Sequence, residues 1–285
     1  MSGAWGKKFY SVMPEFKDKN AVITGAGRGI GKRLAIALAA QGARVALIAR
    51  TLPELHIAHM EIGHAGGASM VAPADVSDYG QVEGAMDAAR RRFGEIDILI
   101  NAAGVLGPIG PTARVDPCAW LEVIRINLAG AFNCARAVLP EMISRRSGKI
   151  INITGSGASS AQPFFSGYAA ASAGLVRFTE TLAEEVAEHN IQVNAMAPGA
   201  TYTAMTDQVL AAGERAGDKA LEDARHTRET RGVSPDKQIA LALFLISPRS
   251  NHITGKLLSV HDEWQRLEQA TMTPERFTLR RVTKP

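Results

Sequence analysis

Aromatic residues are scarce, at 6% of the 285-residue chain, so Ala, Val, Ile, Leu and Gly must build the core. There are two cysteines, Cys118 and Cys134, too few for a disulfide framework and without metal-ligand spacing. Both read as small apolar residues of a reducing compartment, which points to the cytoplasm. No apolar run approaches the ~18–20 residues needed to cross a bilayer. The segment Met1 to Val12 carries lysines but no apolar stretch fit for a secretory signal. A large charge excess is also missing. Thirty-two basic against 28 acidic residues leave +4, which suits an anionic ligand but forms no dense basic stripe for nucleic acid. Hydrophobic residues at 46% and charged residues at 21% describe an ordinary globule.

Short β-branched runs alternate with amphipathic stretches. Strands are expected over Asn20–Thr24, Arg44–Ala49, Ser69–Ala74, Ile96–Asn101, Lys149–Thr154, Ile191–Met196 and Lys256–Val260. Helices are expected over Gly29–Gln41, after the second strand, and over Tyr79–Phe93, Trp120–Arg145, Tyr168–His189 and Lys237–Ile246. Strands apolar throughout and separated by helices imply parallel pairing with both faces covered. Right-handed crossovers then give a single α/β doubly wound sheet. The expected organisation is an arm over residues 1–18, a Rossmann-type domain over 19–262 and a tail over 263–285. Within the domain, residues 204–237 are rich in charge and read as a solvated helix pair or as a lid over a ligand. Their polarity hints at a hydroxylated or anionic substrate such as a sugar derivative.

The first strand runs through Thr24 into Gly25-Ala26-Gly27-Arg28-Gly29-Ile30-Gly31 and then a helix. Glycine permits the tight turn and lets a pyrophosphate reach the free N–H groups of the helix start. The end of the second strand should read the adenosine ribose. An acid there would suit the 2′-hydroxyl of NAD, yet the chain has Ala49 and Arg50. Arg50 with Arg28 suits a 2′-phosphate, so NADP(H) is expected over NAD(H).

With these motifs go Asp75-Val76, Asn101-Ala102-Ala103-Gly104, Asn127, Tyr168 and Pro198-Gly199 followed by Thr203 and Met205. As an ordered set covering about residues 19 to 261, they resemble the short-chain dehydrogenase/reductase family. The resemblance implies about seven strands with helices on both faces, a homodimer or homotetramer, and a small-molecule carbonyl or alcohol substrate; charge, run length and ligand spacing give no expectation of a nucleic-acid, membrane or metal partner. It also implies roles. Asp75 and Val76 flank the adenine, Asn101 and Gly104 line the cofactor cleft, Thr203 meets the nicotinamide carboxamide, and Ala102, Pro198, Gly199 and Met205 are further cofactor-binding candidates.

The family's hydride-transferring members use a serine, a tyrosine, a lysine four residues after the tyrosine, and an asparagine. Asn127 and Tyr168 match, but Ser172 stands where the lysine belongs. The serine's most usual spacing falls on Gly155, with Thr154 before it and Ser156 after it; Ser156 is the candidate. A free tyrosine of pKa ~10 is about one part in a thousand phenolate at pH 7, and without a cation Tyr168 is a poor base. Arg177, nine residues on, lies about two and a half turns away. Three readings follow: an atypical or impaired NADP(H) oxidoreductase, a chain whose native lysine has been replaced, or a non-redox enzyme or nucleotide-binding regulator on the same fold. His56, His59 and His64 read as surface residues, His189 as complementing a helix C-terminus, Phe164 and Phe165 as a pocket wall, and Trp264 as packing on the core.

Overall fold

A computed structural model describes residues 15–280. The short β-branched runs do form strands: β1 (Asn20–Thr24), β2 (Arg44–Ala49), β3 (Ala68–Pro73), β4 (Ile98–Asn101), β5 (Gly148–Ile153), β6 (Ile191–Ala197) and β7 (Leu257–Ser259). They make one sheet of order β3-β2-β1-β4-β5-β6-β7, parallel throughout. The order reverses between β1 and β4, where an open α/β sheet places its ligand crevice.

Each of the first six strands leads to a helix that returns across one face: α1 (Gly29–Ala40), α2 (Leu52–His64), α3 (Tyr79–Phe93), α4 (Pro117–Ile124) continuing into α5 (Gly130–Arg145), α6 (Ser166–Glu185), and α9 (Pro235–Ile246). Leu34 and Leu38 of α1, Leu55 of α2 and Phe244 of α9 bury against one sheet face. Val82 and Met86 of α3, Val138 of α5 and Leu182 of α6 bury against the other. Burying each such side chain contributes ~1.5–3 kcal/mol, so the two apolar layers, with few aromatics, carry the fold. Among the described residues no helix is long and apolar enough to cross a membrane.

Several boundaries differ from expectation. The helix expected from Trp120 begins at Pro117, because Asp116 caps it by accepting from Ala119 N at 2.7 Å and proline suits the first turn. Its middle, Arg125–Ala129, is a wider π turn. The helix expected to reach His189 ends at Glu185; His189 lies in a separate short turn, before Asn190 at φ 52°, and so does not complement the α6 terminus. The charged segment forms α7 (Ala204–Ala212) and α8 (Asp218–Thr230). Its last expected residues belong to α9, which Ser234 caps by accepting from Asp236 N. At the N-terminal side Phe16 is already buried in the core.

Candidate active site

The carboxyl ends of β1 and β4 are locked together by one side chain. Thr24 Oγ1 accepts from both Ala102 N and Ala103 N at 3.0 Å. This brings the glycine turn against the loop after β4. Gly25 stands at φ 63°, and a Cβ there would lie 2.7 Å from Ala102 O. A Cβ on Gly31 would lie 2.4 Å from Gly25 O, so α1 starts as close to β1 as backbone allows. No side chain caps α1: Arg28 precedes it in extended conformation with no capping bond. The first amides of α1, at Gly29, Ile30 and Gly31, are therefore available to an anion. Opposite them, Thr203 caps α7, and its methyl lies 3.8 Å from where a Gly29 Cβ would be. Two helix N-termini face one crevice, a cradle that fits a dinucleotide's phosphates. Pro198 O accepts from Gln238 Nε2 at 2.9 Å, and Gly199 at φ 70° turns the chain towards Thr203 and Met205.

Arg28, in the glycine turn, and Arg50, at the end of β2, stand exposed, each near an acid. Arg28 is 3.6 Å from Glu54 and Arg50 is 3.6 Å from Asp75. Burial acts to raise the Asp75 pKa. The Ser77 amide and hydroxyl, together with Arg50, outweigh it and hold the carboxyl below its ordinary range. Glu54 is a residue that sequence reasoning missed. Its side chain would meet a Cβ on Gly27 at 2.9 Å, which puts a carboxylate beside the turn. Val76 is buried and packs on Gly130 at the start of α5.

Asn101 stands apart from the crevice. Its side chain is buried, with Nδ2 donating to Asn152 Oδ1 at 2.9 Å; Asn152 in turn donates to Thr179 Oγ1 at 2.8 Å. That places it inside a polar chain linking β4, β5 and α6. Asn127 lies in the π turn and is committed at both ends. Its Oδ1 accepts from Val105 N at 2.8 Å and its Nδ2 donates to Val105 O at 2.9 Å. It thereby clamps the loop after β4, and Gly104 lies against its amide oxygen.

Tyr168, in the first turn of α6, is half-buried. Its phenol rests on the backbone of Gly155: a Cβ there would lie 2.3 Å from Tyr168 Oη. A serine at that position and the tyrosine in this place exclude each other. Thr154 is buried and donates to the carbonyl of Ser172 at 3.3 Å. Ser156 is exposed and accepts from Gln162 Nε2. Ser172, one turn beyond Tyr168, is buried and uncharged. Burial raises the Tyr168 pKa above its ordinary value, since desolvation disfavours the phenolate and no cation opposes it.

Over the phenol lie α7 and α8. Their base is closed by an antiparallel bridge between Thr201 and Gly232. Their charged residues face solvent, but their inner face is apolar. Met205, Val209, Ala212 and Ala216 pack with Leu106, Phe165 and Tyr168 in one cluster. Phe164 joins them at φ 71°, its ring against Gly217, where a Cβ would come within 2.5 Å. The charges that hint at a hydroxylated or anionic substrate form the outer surface of this helix pair, and the face over the phenol is apolar. His59 Nδ1 is bonded to Ser69 Oγ at 2.7 Å, and among the described residues no three His, Cys, Asp or Glu side chains converge as for a metal.

The family model described as short chain dehydrogenase matches residues 19–213. The chain is 34% identical over 249 residues to a 2,3-dihydro-2,3-dihydroxybenzoate dehydrogenase of Bacillus subtilis (strain 168), covering 86% of this chain and 95% of that one. Among solved structures it is similar to an actinorhodin polyketide ketoreductase variant with NADPH: TM-score 0.79, 32% identity, 85% of this chain and 95% of that one. It is also similar to an NAD+-bound xylitol dehydrogenase: TM-score 0.80, 28% identity, 86% and 98% covered.

Proposed function

The chain belongs to the short chain dehydrogenase family and is an NAD(P)-dependent oxidoreductase; from that premise we propose that it is an NADP(H)-dependent carbonyl reductase for a ketone with apolar flanks. The observation that carries this reading is the neutral, half-buried Tyr168 at the end of the glycine cradle, beneath an apolar lid. Bound in the cradle, the reduced coenzyme supplies hydride.

The protein's own residues do the rest. The amides of Gly29, Ile30 and Gly31 hold phosphate charge, and Gly25 and Gly27 keep the turn tight enough to admit it. Arg28 and Arg50 favour the extra phosphate of NADP(H), although Glu54 and Asp75 partly neutralise them. Ala102 and Gly104 form the wall that Thr24 and Asn127 hold, while Asp75 and Val76 border the adenine end. Pro198, Gly199, Thr203 and Met205 border the other end. Tyr168 Oη donates its proton to the carbonyl oxygen. A raised pKa keeps the phenol protonated, the form that reduction requires, and starves the reverse reaction of phenolate. Asn127 acts as a positioning residue through Val105. Ser172 offers a hydroxyl where a lysine would offer charge, and Ser156 orients a substrate oxygen only after leaving Gln162.

Leu106, Phe165, Met205 and Val209 favour an apolar ketone over a sugar acid. The long helices α5 and α6 serve as the homo-oligomer surface, and the cytoplasm suits the free thiols of Cys118 and Cys134.

The test is calorimetric titration with NADPH and NADH, on the native chain and on Arg50→Ala, followed by rates on apolar and polyhydroxylated ketones. Tighter NADPH binding that drops about tenfold or more in Arg50→Ala is expected. Reduction confined to apolar ketones is expected as well. A second reading rests on the joint loss of charge at Ser172 and of a side chain at Gly155: a cofactor-holding protein without redox turnover. NADPH binding with no hydride transfer, even in Ser172→Lys, would favour it.

A further inference from the structure

The crevice lies at the carboxyl ends of the strands. At their amino ends is a second cavity, of about 180 Å³. It is bordered by the starts of β5 and β6, by the residues before β1 and β4, and by the end of α9. Lys149, the second residue of β5, lines it. Alternation along the strand puts its side chain on the same sheet face as Ile151, which packs in the core with Phe16 and Ile246. The opposite end of β5 leads to Gly155 and the phenol, so Lys149 takes no part in the chemistry of Tyr168.

The amine nitrogen of Lys149 is buried and has no hydrogen-bond partner among the described residues. The two acids on the cavity wall are already engaged. One Asp97 oxygen is 3.1 Å from Arg145 and 3.5 Å from Lys19, and the other accepts from Asn20 N at 2.9 Å. Glu15 is 3.7 Å from Arg249. Lys149 is thereby left as the cation of this wall without an acid. A buried charge lacking an acceptor is costly, which favours the neutral amine. Burial lowers the Lys149 pKa from its ordinary value to about 8. At about pH 7.5 roughly a quarter of such an amine is neutral, against about one part in a thousand for an exposed lysine of pKa ~10.4. A neutral, desolvated lysine amine is a nucleophile.

We propose that Lys149 is a site of reversible carbamate formation with dissolved carbon dioxide. The Nζ lone pair attacks the carbon of CO2 and forms an N–C bond. One C=O π pair moves onto oxygen, and the nitrogen releases one proton to water. No electron changes hands and no further reactant is needed. CO2 is uncharged and small enough to pass through the cavity to a nitrogen with no surface open to solvent. The product replaces the unpartnered cation by an anion, on a wall that Lys19 shares.

The test uses the native full chain at about pH 7.5, with carbon-13 bicarbonate as the source of CO2. Triethyloxonium fixes the carbamate as its ethyl ester, and peptide mass spectrometry locates it. Lys219 and Lys237, both exposed, are the internal comparison. Label at Lys149 about tenfold or more above theirs is expected, with the excess lost in urea. Equal labelling of the three lysines in the folded chain overturns the proposal. An excess that persists in urea also overturns it, because local sequence and not the cavity would then be responsible.

Discussion

Replacing Ser172 by lysine is the perturbation with the most to say about Tyr168. Position 172 lies one helical turn beyond the tyrosine, about 6 Å along the axis. A lysine side chain there can bring its ammonium to ~5 Å from the phenol. At an effective dielectric near 20, that pair is worth about 3 kcal/mol, or about 2 pH units on the phenol. Ser172 is buried, so the ammonium loses hydration and part of this gain. The net fall in the Tyr168 pKa should be about one to two units. The sign matters more than the size. A lower pKa puts more phenolate at neutral pH, which helps the direction where Tyr168 takes a proton. At pH 7–8, alcohol oxidation by Ser172→Lys should rise about tenfold. The pH at which oxidation levels off should move down by the same one to two units. Carbonyl reduction, which uses the neutral phenol, should change much less. Rates are read from coenzyme absorbance across pH, with Tyr168→Phe as control in both backgrounds. Superimposable oxidation profiles, with dinucleotide affinity retained, would refute the reasoning.

Gly155→Ser should cost stability, because the new Cβ lies 2.3 Å from Tyr168 Oη and the ring must move. A loss of about 1–3 kcal/mol is expected, read by denaturant unfolding; no loss would mean that the phenol does not rest on that backbone. In Thr24→Val two partly buried amides, those of Ala102 and Ala103, lose their acceptor. The expected cost is about 2–4 kcal/mol, with weaker dinucleotide binding measured by calorimetry; a change under 1 kcal/mol would assign the β1–β4 link to other contacts.

Much of the architecture is legible in the residues, for a physical reason. A strand buried on both faces must be apolar throughout, and runs such as Arg44–Ala49 and Ile191–Met196 announce themselves. The glycine turn is equally legible, since its close approaches tolerate no other residue. What pattern cannot show is which way a side chain turns. Asn101 sits in a motif that borders the crevice, yet its amide points into the polar chain with Asn152 and Thr179. The charged residues of α7 and α8 advertise a polar lid, while the smaller apolar ones decide its inner face. Glu54 was missed for the same reason: nothing local marks a helical acid as a neighbour of Gly27. The cap at Asp116 was available in principle, since Asp followed by Pro before an apolar run is a helix start. The loss of a side chain at Gly155 was visible, but its consequence, a phenol lying in the vacated space, requires coordinates.

The widened turn at Arg125–Ala129 sets a phase. An α-helix advances about 100° per residue, so one extra residue rotates everything after it relative to everything before. The half from Pro117 turns Trp120 towards Gly167, while the half from Gly130 turns Val138 into the sheet. A regular rod could not satisfy both directions and also point Asn127 at Val105. The irregularity lets one continuous element be architecture at its rear and alignment jig at its front. The backbone stays bonded across the wider turn, Gly130 N donating to Arg125 O, at the place where Asn127 clamps the loop above.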